Sequence, residues 1–248
     1  MSYTCFLILP AWCSRLRIRR IRRLSEPSRI CPPVMTRLFG DSPTTTMFAP
    51  ADLLPELLSP RGYVAADEVF EADDGSDAAA ELRVLVAGAV DSAIAGRQSD
   101  TLTILDRAQP GASNPAARLL IALNRAQALL ELGELADADA EAVAALRLAR
   151  REKQDRWVAL ASLATALASL ARGRRADARS RLGEAVRLFA RAGDATRQVQ
   201  CHYLLGEIAY LGEDPIRAGA HYRDALAVAR VAGAQEWIEL LTLRFEHR

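Results

Sequence analysis

The stretch RADARSRLGEAVRLFARAGD, Arg175–Asp194, decides the fold, because its spacing recurs on either side of it. Ala178 stands 40 residues after Ala138 and 40 before Ala218, and Ala145, Ala185 and Ala225 keep the same spacing seven residues further on. Ala142, Leu182 and Tyr222 lie between the two sets, and Ala126, Ala166 and Gly206 hold the phase upstream. A fixed period of about 20 to 50 residues marks a stacked repeat, in which each unit buries its apolar face only against its neighbours. The expected fold is all-α: an α-solenoid of antiparallel helical hairpins over residues 78–248. Its units fall at about 82–118, 119–158, 159–198 and 199–238, with a C-terminal cap at 239–248.

Start and stop signals divide each unit into two helices. Helix begins near Ala78, carries an apolar stripe from Leu82 through Ala93 and ends at Gly96. Ser99 or Asp100 is the expected cap of a shorter helix through Ala108. Asn114 before Pro115 is a side-chain cap followed by a proline preset for the first helical turn. That helix is expected to run to Leu132 and stop at Gly133, with its partner over about Leu135 to Arg151. The next pair covers about Gln154 to Ala171 and Arg175 to Ala192, closed by Gly193, with Asp194 as the cap of the succeeding helix. In the last pair, Gly212 ends the first helix, Asp214 and Pro215 restart the chain, and Gly233 ends the second. Glycine suits these ends because a helix commonly terminates in a left-handed residue. Trp237, Leu240, Leu241 and Phe245 share a face beyond it, as a cap or a truncated further repeat.

Residues 1–77 read differently, as a low-complexity, disordered tail and linker. Met1 to Arg37 holds eight arginines against Glu26 alone, and Asp41 to Glu81 holds ten acidic residues against Arg61. Blocks of one sign stay solvated. Between Pro32 and Pro60 the prolines, with Ser and Thr, cannot sustain helix. Three readings stand for residues 1–34: a basic amphipathic membrane-surface segment, a disordered tail, or translated sequence upstream of a true first residue at Met35 or Met47. The apolar run Cys5 to Trp12 precedes its positive charges, the reverse of a secretory signal, and no stretch is long and apolar enough for a transmembrane segment. Leu54 to Leu58 spells L-x-x-L-L, a short match in a leucine-rich chain. The acidic Glu71, Asp73, Asp74 and Asp77 lack a calcium loop's final glutamate, since Val84 stands in its place.

These blocks resemble the tetratricopeptide repeat (TPR) family. Its small residue on the first helix falls on Ala126, Ala166 and Gly206, and its two alanines on the second helix fall on Ala138, Ala178, Ala218 and on Ala145, Ala185, Ala225. Its large residue between them falls on Ala142, Leu182 and Tyr222. The units depart from the family in being 40 residues long, and HEAT-like units share that length. The resemblance implies a concave groove lined by the first helix of each hairpin, a surface that suits a helix or extended peptide. Carried onto this chain, the groove candidates are Leu123, Asn124, Gln127, Glu131, Leu163, Leu167, Gln200, Tyr203, Glu207 and Tyr210. The alternative for the leucines is that they pack on the neighbouring hairpin or on the N-terminal tail. Asn124 also matches one member of the family's carboxylate clamp, but Leu160 and Ala164 stand where its cationic partners belong.

Enzyme signatures are missing: there is no P-loop, H-E-x-x-H, G-x-S-x-G or dinucleotide glycine pattern. No catalytic, cofactor-binding or metal-binding residues are assigned and no cofactor is expected. His202 and His221 lie on helices whose other positions are structural. Cys5, Cys13, Cys31 and Cys201 show no C-x-x-C spacing, which fits a reducing compartment. Lys153 is the only lysine among 32 basic residues, a skew that fits GC-rich bacterial codon usage. Arg172, Arg174 and Arg175 form a basic cluster, but Asp177 and Glu184 lie just beyond it, so specific nucleic-acid binding is not expected. The function expected is a non-catalytic, cytoplasmic protein-protein interaction scaffold, with a sensory or regulatory domain of a bacterial signalling or transcription system as the alternative. Its partner is a protein or peptide, and self-association remains open.

Overall fold

The computed structural model describes residues 63–65, 69 and 77–246. Among the described residues there is no strand, and nine α-helices succeed one another. They are α1 Asp77–Ile94, α2 Gln98–Ala108, α3 Pro115–Leu132, α4 Leu135–Glu152, α5 Asp155–Ala171, α6 Arg175–Ala192, α7 Ala195–Leu211, α8 Pro215–Val231 and α9 Gln235–Glu246. A 3-10 turn, Gln109–Gly111, lies between α2 and α3. Each helix packs on the next, and the first helices of adjoining hairpins also meet, α1 on α3 and α3 on α5. This is a stack of antiparallel hairpins. The readings placed on Cys5 to Trp12, on the Leu54–Leu58 pattern and on the acidic run from Glu71 to Asp74 lie outside the described residues.

The expected starts hold at three helices. The Asn114 side chain accepts from the N–H of Ala117, with Pro115 in the first turn, while Asp194 and Asp214 accept from the N–H groups of Arg197 and Arg217. Helix α2 differs. It begins at Gln98, without a side-chain cap, so that Ser99 and Asp100 lie inside it and Asp100 pairs with Arg97 at 3.3 Å.

The turns repeat in phase as well. Within the hairpins the left-handed residue is Gly133, Gly173 and Glu213, with φ of 82°, 74° and 59°. Between hairpins it is Lys153, Gly193 and Gly233, with φ of 55°, 70° and 65°. Gly212 does not take this role: its φ is −92°, and Glu213, one residue later and in phase with the repeat, bears the strained conformation instead.

Every small residue of the repeat is where helices cross. Ala138, Ala178 and Ala218 are completely buried, as are Ala142, Leu182 and Tyr222 beside them. Helix α5 is buried from Ala159 to Ala171 apart from Ala164, as expected of a central helix enclosed on all sides. In the last hairpin the fit is tightest at Gly206: a Cβ there would come within 3.0 Å of Cδ1, Cε1 and Cζ of Tyr222. Helix α9 covers the end, with Trp237 and Leu241 packed beside Tyr203 and Tyr222. It starts at Gln235, ahead of the cap boundary at 239 drawn from the repeat period.

Candidate functional site

Among the described residues, the segment Tyr63–Ala65 runs without regular structure against the hairpins. Composition places it in a linker, yet Tyr63, Val64 and Val69 are each at most 5% exposed. The contact is polar and directional as well as apolar. The Val64 N–H donates to Oδ1 of Asn124 at 2.8 Å, and Nδ2 of Asn124 donates back to the Val64 carbonyl at 2.9 Å. One amide side chain thus satisfies both main-chain groups of one residue, as a neighbouring strand would. Asn124 is itself completely buried on α3, so the pair is shielded from water.

Two further anchors fix the flanks. Tyr63 hydroxyl donates to Glu131 Oε2 at 3.2 Å, and Glu131 also accepts from Gln98 at 2.7 Å and from Gln127 at 2.8 Å. Burial, and then the neighbouring Glu131 carboxylate, push the Tyr63 phenol well above its ordinary pKa, so it stays a donor. The Tyr63 carbonyl accepts from Nη2 of Arg197 on α7 at 3.0 Å, and Arg197 also reaches Gln200 at 3.4 Å. The Tyr63 ring packs with Ala93, Ala128, Val90 and Leu102, while Val64 and Val69 join the main core.

The structure therefore spreads the ten groove candidates among three settings. Asn124 and Glu131 hold Tyr63–Val64 directly, with Gln127 behind Glu131 and Gln200 behind Arg197. Leu123, Leu163 and Leu167 are buried in the same core cluster as Val64 and Val69. Tyr203 belongs to an aromatic cluster, its ring centroid 5.8 Å from that of Tyr222 and 5.7 Å from that of Trp237; Tyr210 lies half-buried at its edge. Glu207 accepts from the Tyr222 hydroxyl beneath it.

Sequence reasoning did not pick out Tyr63, Val64 or Arg197. The one signal in the linker was an aromatic followed by a β-branched residue, a pair that favours extended, half-buried backbone. Arg197 resembles any surface arginine until the fold buries it.

The basic cluster is engaged internally. Arg172 and Arg174 pair with Asp139 at 3.2 and 2.6 Å, and Arg175 donates to the Leu211 carbonyl at 3.0 Å. Among the described residues Cys201 is a buried thiol, and burial pushes its pKa up, away from the reactive thiolate. Among them too, one group of side chains could hold a metal ion: His202, His221 and Asp224, whose donor atoms gather within 4.8 Å of one another. No helix among the described residues is long and apolar enough to cross a membrane.

No family model, curated protein or solved structure matches the chain.

Proposed function

We propose that this chain is a non-catalytic interaction scaffold of the TPR kind, in a bacterial cytoplasm, whose groove binds extended peptide and is filled at rest by the chain's own Tyr63–Val64. The observation that carries the reading is the paired hydrogen bonds between the Asn124 amide and the Val64 main chain at 2.8 and 2.9 Å. Such bonds recognise backbone and not a particular side chain, so a partner's extended segment could satisfy them equally. The small pocket for the Tyr63 ring and the core-facing site of Val64 add selectivity for an aromatic followed by a β-branched residue. The sensory or regulatory alternative draws support from the same occupancy, because a groove that must be vacated before it binds makes partner engagement conditional.

A fluorescent peptide spanning residues 58–72 tests the reading. The full chain carrying Tyr63→Ser and Val64→Asp, which weaken the internal segment, is expected to bind it in fluorescence anisotropy, while the unmodified chain binds it at least tenfold more weakly. Adding Asn124→Ala to the first variant should abolish binding. Absence of binding to every form, or binding indifferent to Asn124, would overturn the reading.

A further inference from the structure

We propose that His202, His221 and Asp224 form a zinc site that ties α7 to α8 in the last hairpin. The argument starts in the sequence period. His202, His221 and Asp224 stand 40 residues after Ser162, Arg181 and Glu184, so the two trios occupy the same place in successive hairpins. In the hairpin α5–α6 that place is closed by its own hydrogen bonds. Ser162 donates to Glu184 Oε2 at 3.1 Å, Arg181 pairs with the same carboxylate at 3.3 Å, and Arg150 reaches it from α4 at 3.0 Å.

In the last hairpin the hydroxyl and the guanidinium are both replaced by imidazole, and the network does not close. Nδ1 of His202 and Nδ1 of His221 are buried without a hydrogen-bond partner. The rings lie 6.3 Å apart between centroids, and His202 Nδ1 is 4.0 Å from Asp224 Oδ2, beyond hydrogen-bond length. Buried polar atoms are rarely left unmatched, and each unmatched one calls for an explanation such as an ion. Three donors within 4.8 Å of one another supply one.

The donor set favours zinc. Two imidazoles and one carboxylate around a tetrahedral centre leave a fourth vertex, and Asp224, 60% exposed, opens that vertex to solvent. Burial lowers the pKa of both histidines, with Arg179 and Arg217 adding to the effect at His221, so both rings are held in the neutral form that ligates metal. Those two arginines also oppose a dication, and the Asp224 carboxylate acts against them. Zinc bonds of about 2.0–2.1 Å in a tetrahedral set place donors roughly 3.3 Å apart, so donors now within 4.8 Å of one another would close by up to about 1.5 Å through side-chain rotation.

The test is calorimetric titration of zinc chloride into chelator-treated full-length protein, with Cys5, Cys13 and Cys31 changed to Ser so that tail thiols do not compete. One equivalent is expected to bind. His202→Ala and His221→Ala should each weaken binding at least 100-fold, and Asp224→Asn about tenfold. Thermal melts of the metal-free variants establish that they fold, and the unmutated side chains are followed independently by the imidazole proton resonances of the titrated protein. Two of its three histidine signals should shift with the first equivalent. Absence of stoichiometric heat, binding retained in the His202→Ala/His221→Ala double variant, or unmoved imidazole resonances would each overturn the proposal.

Discussion

Gly206 lies directly beneath the ring of Tyr222, with no space between them for a side chain. The preceding hairpins solve the same crossing differently, pairing Ala166 with Leu182 and Ala126 with Ala142. Gly206→Ala should therefore overpack this crossing and cost about 1–3 kcal/mol in urea unfolding. Combining it with Tyr222→Leu, which recreates the pairing of the preceding unit, should recover part of that loss. A double-mutant cycle is expected to show favourable coupling of about 1 kcal/mol.

Glu213 holds a left-handed conformation that Gly133 and Gly173 hold at the equivalent turns. Glu213→Gly relieves the strain, partly offset by the added freedom of glycine in the unfolded chain. A net gain of about 0.5–1 kcal/mol is expected in thermal or urea unfolding. Gly212→Ala, at a φ of −92°, meets no left-handed strain, but its Cβ would stand 3.3 Å from the Ile208 carbonyl oxygen, so no gain is expected there.

Tyr203 stands at a groove position of the repeat, and its burial beside Tyr222 and Trp237 makes it a core residue too. Tyr203→Ala should cost about 3 kcal/mol of stability, the scale of removing a buried aromatic. Phe should restore most of it. Circular dichroism melts of the two variants check this.

Asn124→Ala deletes both bonds to Val64 while leaving α3 intact. Amide hydrogen exchange at Val64 is expected to accelerate at least tenfold, and protease cleavage near residue 63 to increase, with the helical signal nearly unchanged.

Burial lowers the pKa of His202 and His221. Below the ordinary histidine value of about 6.5 the unfolded chain takes up protons that the folded chain resists, so unfolding is favoured as pH falls. The stability is fully present above that value and declines as pH drops through the folded values. The metal-free protein should therefore lose stability as the pH falls below about 6.5 more steeply than a His202→Gln/His221→Gln variant. Urea titrations across that range give the comparison.

The alternation of hairpins was legible because alanine and glycine at a 40-residue spacing report directly on helix crossings and turns. The physical limits of that legibility appear at single positions. Gly212 ends α7 as its identity suggests, but the left-handed conformation of the turn follows repeat phase and falls on Glu213. Ser99 and Asp100 have capping side chains, yet α2 opens earlier, at Gln98, and Asp100 pairs with Arg97 instead. The seat of Tyr63–Val64 was hidden because it joins residues 60 to 134 positions apart, Val64 with Asn124 and Tyr63 with Arg197. Local pattern carries no record of such partners. The same holds for His202 and His221, which are unremarkable on their own helices and meet only when α7 packs on α8.

A pile of hairpins that touch only their neighbours can fray from either end, one pair at a time. The strip at Tyr63–Val64 runs across that grain, tied to α3 through Asn124 and Glu131 and to α7 through Arg197. It works as a stitch through several layers, so its removal should broaden a single unfolding transition into a stepwise unravelling, and filling the groove with a foreign strand should sharpen it again.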